Sequence, residues 1–486
     1  MKYIFKSIML VFLISMVSSC EQKLDEINVD PNNSLTALDA NVLTAAQGYL
    51  AYNLDYEYNA RVSTLWAQYF TWGIGVSIGN QERYVAQPAD FDNIWNRAYA
   101  SALTDLKFLT KSEDPAYRGV AKVLQAHMFQ GLVDHFGTVP FSEANLGAID
   151  DGAVLTPKFD APVNIYSDLL TLIDDANADL NAAFSTDMGP DDLMFGGDLN
   201  KWKKFANSLK LRVYMRLSET GSADGEAVKA HISRGNFMEN NTDIAWVPFD
   251  GTSGNQNPMW ARQMFGVGDF YFASNASLNV LRDLGDPRDT IFYRRATTGA
   301  FSGMIHGIDQ GTIDDEPFTA PQTDYSLSSP LNYGADEPVF LMSTWEVYFL
   351  RAEAAARYGT SDDAEAMLTS GVQSNFDYYN VGDATDYVDG LDFASASSMD
   401  DKVDVIAVQK WISMNGTQED EGWIEARRFD RPASRLFTEG IWQTPPLSVL
   451  PAGQFPHSWL FPSDERSFNP NAPAQRVITD KIFWDN

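Results

Sequence analysis

Five histidines, one cysteine and 66 acidic side chains are the reactive inventory of this 486-residue chain. The histidines, His127, His135, His231, His306 and His457, stand singly, and none lies in an H-E-x-x-H arrangement that would set two imidazoles on one helix face toward zinc. A lone cysteine forms neither an intrachain disulfide nor a thiolate metal cluster. "GTSGN" around Ser253 is not a nucleophile elbow. "GIGVSIG" at 73–79 has Ile78 where a dinucleotide loop needs its third glycine, so it reads as a turn. In "DLGDPRDT", Asp283, Asp286 and Asp289 recur every third residue, which is not calcium-loop spacing, and Pro287 suits a helix-ending turn. A glycosidase carboxylate pair is defined by a separation in space of about 5–9 Å, which no linear pattern reveals. No catalytic residue, metal site or cofactor is therefore assigned.

What the sequence does concentrate is the chemistry of a binding surface. Sugars present apolar C–H faces ringed by hydroxyls. Aromatic rings cover the faces, while amides, carboxylates and guanidinium groups meet the hydroxyls. Two stretches gather these types. "QYFTWGIGVSIGNQERYVAQP" supplies Tyr69, Trp72, Asn80, Arg83 and Tyr84. "GNQNPMWARQMFGVGDFYF" supplies Asn255, Gln256, Asn257, Trp260, Arg262 and Phe265. Trp72, Arg83, Tyr84, Asn255, Asn257, Trp260 and Phe265 are the ligand contacts expected from these loops. Each aromatic competes with a role in the core or in loop packing. Trp260 does so least, because its neighbours are glycines and amides rather than aliphatics.

The cysteine is Cys20, in "IMLVFLISMVSSCEQKLDE". The apolar run Ile8–Val17 has ten residues, half of the roughly 20 a spanning helix needs. Lys2 and Lys6 precede it and Ser18 and Ser19 follow, the layout of a secretory signal over residues 1–19. With the cysteine directly after the small residues, the stretch resembles a bacterial lipoprotein box. Cys20 is then the lipidated N-terminus, held by about 0.8 kcal/mol for each buried methylene. Residues 20–34, polar and interrupted by Pro31, read as a tether, with Ser34 as a candidate N-cap.

The elements that must position the loops are helical. The formal charge of −31 argues against nucleic acid and against docking on anionic lipid. Trp202, Phe205, Ala206, Leu209 and Val213 form one stripe at helical spacing. Trp345, Tyr348, Phe349 and Ala352 form another, with Gly359 as its C-cap. Phe129, Leu132, Val133 and Phe136 form a third, stopped by Gly137 and Pro140. Further helices are expected over 35–55, 58–72, 90–111, 163–183, 226–235, 361–375 and 402–415. Short linkers between several of them predict antiparallel hairpins stacked on one another. Two stretches break the pattern: 236–343, poor in stripes and rich in Gly, Asn and Pro, and 440–475, whose prolines predict extended coil without helices.

Taken together, the segments resemble the SusD/RagB family of nutrient-binding outer-membrane lipoproteins, in its SusD-like branch. The residues that carry the resemblance run in order along the chain: the lipoprotein box and "LDEINVDPNNS", "GLVDHFGTVPFSEA" at 131–144, "NPMW" at 257–260, "GDPRDT" at 285–290, "RAEAAARYG" at 351–359, "GWIEARRFDRPA" at 422–433, "FPSDERSFNPN" at 461–471 and the terminal "TDKIFWDN". The resemblance implies a mainly α fold over 35–486, with tetratricopeptide-like helix hairpins as a scaffold and long irregular loops carrying the ligand face. It implies a non-catalytic protein, lipid-anchored at the outer membrane facing the cell exterior. Such a protein binds a glycan or peptide and passes it to a TonB-dependent SusC-like barrel transporter. Family ligand residues lie in variable loops, so no motif transfers them. Arg427 and Arg428 of "EARRFDRP" read as structural, paired with Asp464 or Glu465. The competing classes are a surface glycoside hydrolase and a protein-binding helical-repeat scaffold.

Overall fold

The computed structural model describes residues 37–72, 81–147, 153–183, 188–263, 271–307, 328–429 and 442–485. Cys20, the 20–34 tether with Ser34, the 73–79 turn, Asn80 and Phe265 lie outside the described residues. The described chain opens with α1 (Asp39–Tyr52), which continues through a π-helical stretch, Asn53–Ser63, to Trp66. Then follow β1 (Phe70–Trp72), α2 (Asp92–Arg97), α3 (Leu103–Leu109), α4 (Pro115–Phe136), α5 (Pro162–Ala182), α6 (Leu199–Arg216) and α7 (Gly225–Arg234). The middle third carries β2 (Ala245–Val247), α8 (Pro258–Gln263), β3 (Tyr271–Ala273), α9 (Asn275–Asp283) and β4 (Val339–Met342). The longer helices that follow are α10 (Thr344–Tyr358), α11 (Ala364–Tyr379), α12 (Met399–Met414) and α13 (Glu419–Arg428).

Local chemistry sets the helix ends. Asp114 caps α4 by accepting from the Ala116 amide at 2.8 Å, with Pro115 at the first helical position, where its missing N–H costs nothing. Gly137, at φ 72°, ends that helix. Ser343 caps α10 by accepting from the Glu346 amide, and Gly359 closes it in the left-handed region at φ 65°.

The predicted stripes are the packing faces. Trp202, Phe205, Leu209, Val213, Trp345, Phe349, Leu132 and Phe136 are all fully buried. α4 and α5 pack side by side and antiparallel: Arg118 near the start of α4 pairs with Asp179 near the end of α5, while Tyr166 donates to Asp134 at the other end. α10 and α11 repeat the arrangement, with Thr344 on Ser374 and Phe349 against Gly371. These are the antiparallel hairpins the periodicity predicts and the tetratricopeptide-like pairs the family resemblance implies.

The hairpins are clamped by buried charge. Arg216 on α6 meets Asp134 at 3.1 Å, Glu421 at 2.6 Å and Glu425 at 2.9 Å. Arg212 pairs with Glu346 at 2.5 Å, Lys410 with Glu425 at 2.9 Å, and Arg428 with both Glu353 and Glu425. Burial pushes the Glu353 carboxyl up, but Arg428 and Arg357 outweigh it and bring it down to about 2. Removing one member of such a network leaves an uncompensated buried charge, at a cost of about 3–5 kcal/mol.

Four expectations are corrected. The 58–72 helix stops at Trp66, and 70–72 is a strand paired with β3. Helix α13 was not expected, because its buried residues are mostly charged and leave no apolar stripe. The proline-rich 440–475 stretch does hold a helix, Ser463–Phe468, which starts just after Pro462, where a proline's lack of an N–H is harmless. Arg427 and Arg428 do not pair with Asp464 or Glu465. Arg427 donates to the Asp134 and His457 carbonyls and lies 3.8 Å over the Trp423 ring, while Glu465 accepts from Trp95 and Asn469.

Two antiparallel ladders tie the irregular middle third to the helices. β1 pairs with β3, setting Trp72 opposite Tyr271, and β2 pairs with β4 across a bulge at Ala245/Trp246. No helix among the described residues is long and apolar enough to cross a membrane.

Candidate functional site

A cleft of about 880 Å³ opens where α1 and the π-helical stretch face β2, α8 and the turn 248–256. Its floor is a pair of tyrosines. Tyr52 ends α1 and Tyr56 lies four residues on, so the rings stand one above the other on the same helical face. Their centroids are 4.9 Å apart and their planes 23° from parallel. Two guanidinium groups flank them: Arg97 lies 4.6 Å from the Tyr52 centroid, and Arg262 lies 5.3 Å from that of Tyr56. Arg97 is fixed by Glu57 at 3.0 Å. Burial, then Tyr56, raises the Tyr52 pKa, so its hydroxyl keeps its proton and can donate. Phe249, Leu193 and Val247 extend the apolar wall.

The rim is polar. Asn255 is exposed and Gln256 half-buried, both on the turn after Asp250. Asp250 accepts from the Thr252 amide at 2.9 Å and its hydroxyl at 2.6 Å, and those bonds lower its pKa. Gly254, at φ 92°, completes the turn in a conformation that a side chain rarely adopts. The arrangement joins stacking faces to donors and acceptors at hydroxyl height, the division of labour that a sugar polymer requires. Among the described residues no three His, Cys, Asp or Glu side chains gather as a metal site.

Asn257 holds the cleft rather than lining it. It is wholly buried; its Oδ1 accepts from the Trp260 amide at 2.8 Å, and its Nδ2 donates to the Glu337 carbonyl at 3.1 Å. Asp55, on the stretch bearing the tyrosines, accepts from the Met259 amide at 2.9 Å. One carboxylate thus ties the tyrosine floor to the first turn of α8, which carries Arg262. Burial pushes Asp55 up to about 6, against the pull of Met259, Asn257 and Asn59.

The structure divides the residues expected from sequence. Asn255, Gln256 and Arg262 line the cleft. Trp260 is half-buried on α8 outside the lining, and Arg83 is half-buried, its carbonyl accepting from Val449. Trp72 and Tyr84 are corrected, along with Asn257: all three are turned inward. Trp72 is 4 % exposed, and its amide donates to Glu82 at 2.6 Å. Tyr84 is 1 % exposed; Gln68 donates to its hydroxyl at 3.2 Å, and Trp66 and Phe455 meet its ring edge-on. Tyr69, equally buried, stacks on Trp411. Rings this large on a buried strand and the turn beside it contribute more by packing than they could at a surface. The two predicted loops do meet, at Tyr271, which contacts both Trp72 and Arg262. Tyr52, Tyr56, Arg97 and Phe249 were missed. The available signal was an aromatic pair four apart in "YNLDYEYNARVS", on a helix face with polar neighbours.

Comparison with known proteins now adds to the geometry. A family model described as "Starch-binding associating with outer membrane" matches residues 31–441. No curated protein matches the sequence. A solved chitin-binding protein superposes with a TM-score of 0.76 at 23% identity, covering 92% of this chain and 100% of its own. A chitin-binding SusD homolog from Flavobacterium johnsoniae gives 0.75 at 18% identity, covering 91% of this chain and 98% of its own. A SusD homolog from Bacteroides uniformis gives 0.74 at 20% identity, covering 92% and 99%. At these identities the superpositions establish the fold, and the family model covers most of the chain: this protein belongs to the SusD-like family of starch-binding proteins associated with the outer membrane.

Proposed function

We propose that this protein is a non-catalytic, cell-surface lipoprotein that captures a nutrient glycan in the Tyr52–Tyr56 cleft and delivers it to a TonB-dependent, SusC-like barrel transporter. The observation that carries the reading is the stacked tyrosine pair flanked by Arg97 and Arg262 beneath an amide rim. Stacked planar groups suit the flat face of a sugar ring, and a cleft of about 880 Å³ accommodates a short oligosaccharide. Two solved relatives of the same fold are described as chitin-binding, which supports a glycan over a protein ligand. In this reading Cys20 carries the lipid, residues 20–34 are the tether, and Asn255, Trp260 and Phe265 remain proposed ligand contacts beside Gln256 and Arg262.

The cleft chemistry favours binding over hydrolysis. Glycoside cleavage needs one protonated carboxyl and one ionised partner. Asp250 is the carboxylate among the described lining residues, and its Thr252 hydrogen bonds keep it ionised, unlike a general acid. A screen of the lipid-free protein against chitin, starch and other polysaccharides, with peptides and a chromogenic glycan panel alongside, tests the proposal. Saturable binding to at least one glycan without hydrolysis is expected. Release of chromophore, or binding to peptides alone, would overturn it.

A further inference from the structure

Behind the tyrosine floor lies a second, smaller cavity of about 40 Å³. The π-helical stretch, α4, α6, β4 and the start of α13 wall it. Asn53 and Asn59 reach it from the π-helical stretch, and His127 and Gln130, one helical turn apart, reach it from α4. The Asn53 Oδ1, Asn59 Oδ1, Gln130 Oε1 and His127 Nδ1 atoms are buried with no hydrogen-bond partner among the described residues. Asn53, Asn59 and Gln130 are each 2 % exposed. An unsatisfied buried polar atom costs about 1–3 kcal/mol, and four around one cavity are too many to leave unanswered.

All four want a donor. Asn53 spends its Nδ2 on the Ile94 carbonyl at 3.4 Å. His127 Nε2 faces the Leu341 carbonyl at 3.2 Å, so the proton sits on Nε2 and Nδ1 offers a lone pair. Burial, then Arg212, lowers the His127 pKa to about 4, which keeps the ring neutral. A small, uncharged O–H group answers all four, and its oxygen can accept from Gln130 Nε2, which is likewise buried without a partner among the described residues. Charges of both signs line the cavity, and each already has a partner: Arg212 pairs with Glu346, Glu421 with Arg216, and Asp420 bonds to Ser63 and His135, so the atoms left to satisfy belong to neutral side chains. The volume exceeds the roughly 10–15 Å³ that one water requires.

We propose that this cavity is a built hydration site, in which one or two ordered waters donate to Asn53, Asn59, Gln130 and His127 Nδ1. The site joins the π-helical stretch to α4 and so seats, from behind, the turn that bears Tyr52 and Tyr56. It does not depend on which ligand the cleft takes.

High-resolution crystallography of the full mature chain tests it, with a parallel crystal pressurised with xenon. A polar, hydrated cavity shows a density peak about 2.7–3.2 Å from at least two of the four atoms and takes no xenon. Xenon in the cavity, or no peak within that distance, overturns the proposal. In solution, Gln130→Leu should lower the count of long-lived internal waters measured by oxygen-17 relaxation dispersion by at least one; an unchanged count would also overturn it. Should that variant fail to fold, the wild-type crystals decide alone.

Discussion

A single buried carboxyl, Glu82, illustrates how individual residues tune this protein. Its Oε1 takes the Trp72 amide at 2.6 Å, and the Gly307 amide also bonds to it. It therefore fastens together residues on both sides of the 73–80 segment and the residue before 308–327. Burial nonetheless pushes its pKa up to about 8. A carboxyl raised in the fold contributes stability that is full below the unfolded value, near 4.5, and is lost as pH rises through about 8. Glu82→Gln keeps an acceptor for Trp72 but has no proton to lose. The variant and the parent should melt alike near pH 5, and the variant should gain on the order of 1–3 kcal/mol by pH 8.5. Thermal melts at the two pH values check this, and an equal gap at both would contradict it. Residues of this kind are hard to read from sequence. Trp72 and Tyr84 look like ligand contacts because they sit among glycines and amides. The pairing of β1 with β3 and the turn at Gln68, which is itself buried with a positive φ of 61°, fold them inward.

At the scale of elements, the hairpins depend on close approach at particular glycines. A Cβ built on Gly371 of α11 would come within 2.8 Å of the Phe349 ring on α10, and one on Gly119 of α4 within 2.7 Å of Leu180 on α5. Each helix pair is thus spaced by a missing side chain. Gly371→Ala has a better helix propensity by about 1 kcal/mol, yet it must displace a fully buried ring in a packed core. We expect a net loss of about 1–3 kcal/mol, measured by denaturant melts; a stabilised variant would mean the hairpin has slack. The helices themselves were legible from the stripes of Trp202, Trp345 and Phe129, because apolar burial imposes a period on sequence. Helix α13 escaped because Glu421, Glu425 and Arg428 are buried as ion pairs, which leave no such period. The cleft escaped in part for a related reason. Tyr52 and Tyr56 belong to a long helix, and a reading that looks to loops for ligand contacts passes over an aromatic pair displayed on a helix.

For the whole molecule, the charge of −31 suits a neutral or cationic ligand, and the lipid anchor proposed above is Cys20. Cys20→Ser should move the protein from the membrane to the soluble fraction with glycan affinity intact. Retention on membranes, or lost affinity in the released protein, would contradict the role given to the lipid. Family membership, fold and scaffold follow from features spread along the chain. The proposed ligand cleft does not, because it is assembled from α1, the π-helical stretch, the 248–256 turn and α8, about 200 positions apart, and joined through bonds such as Asp55 to Met259. The most direct test of that assembly is calorimetric titration of chitin oligosaccharides and starch oligosaccharides into the wild type, Tyr56→Phe and Tyr56→Ala. The account predicts saturable binding of at least one series by the wild type and Tyr56→Phe, and affinity about tenfold or more weaker in Tyr56→Ala with an unchanged melting temperature. Equal affinity in Tyr56→Ala would contradict the account.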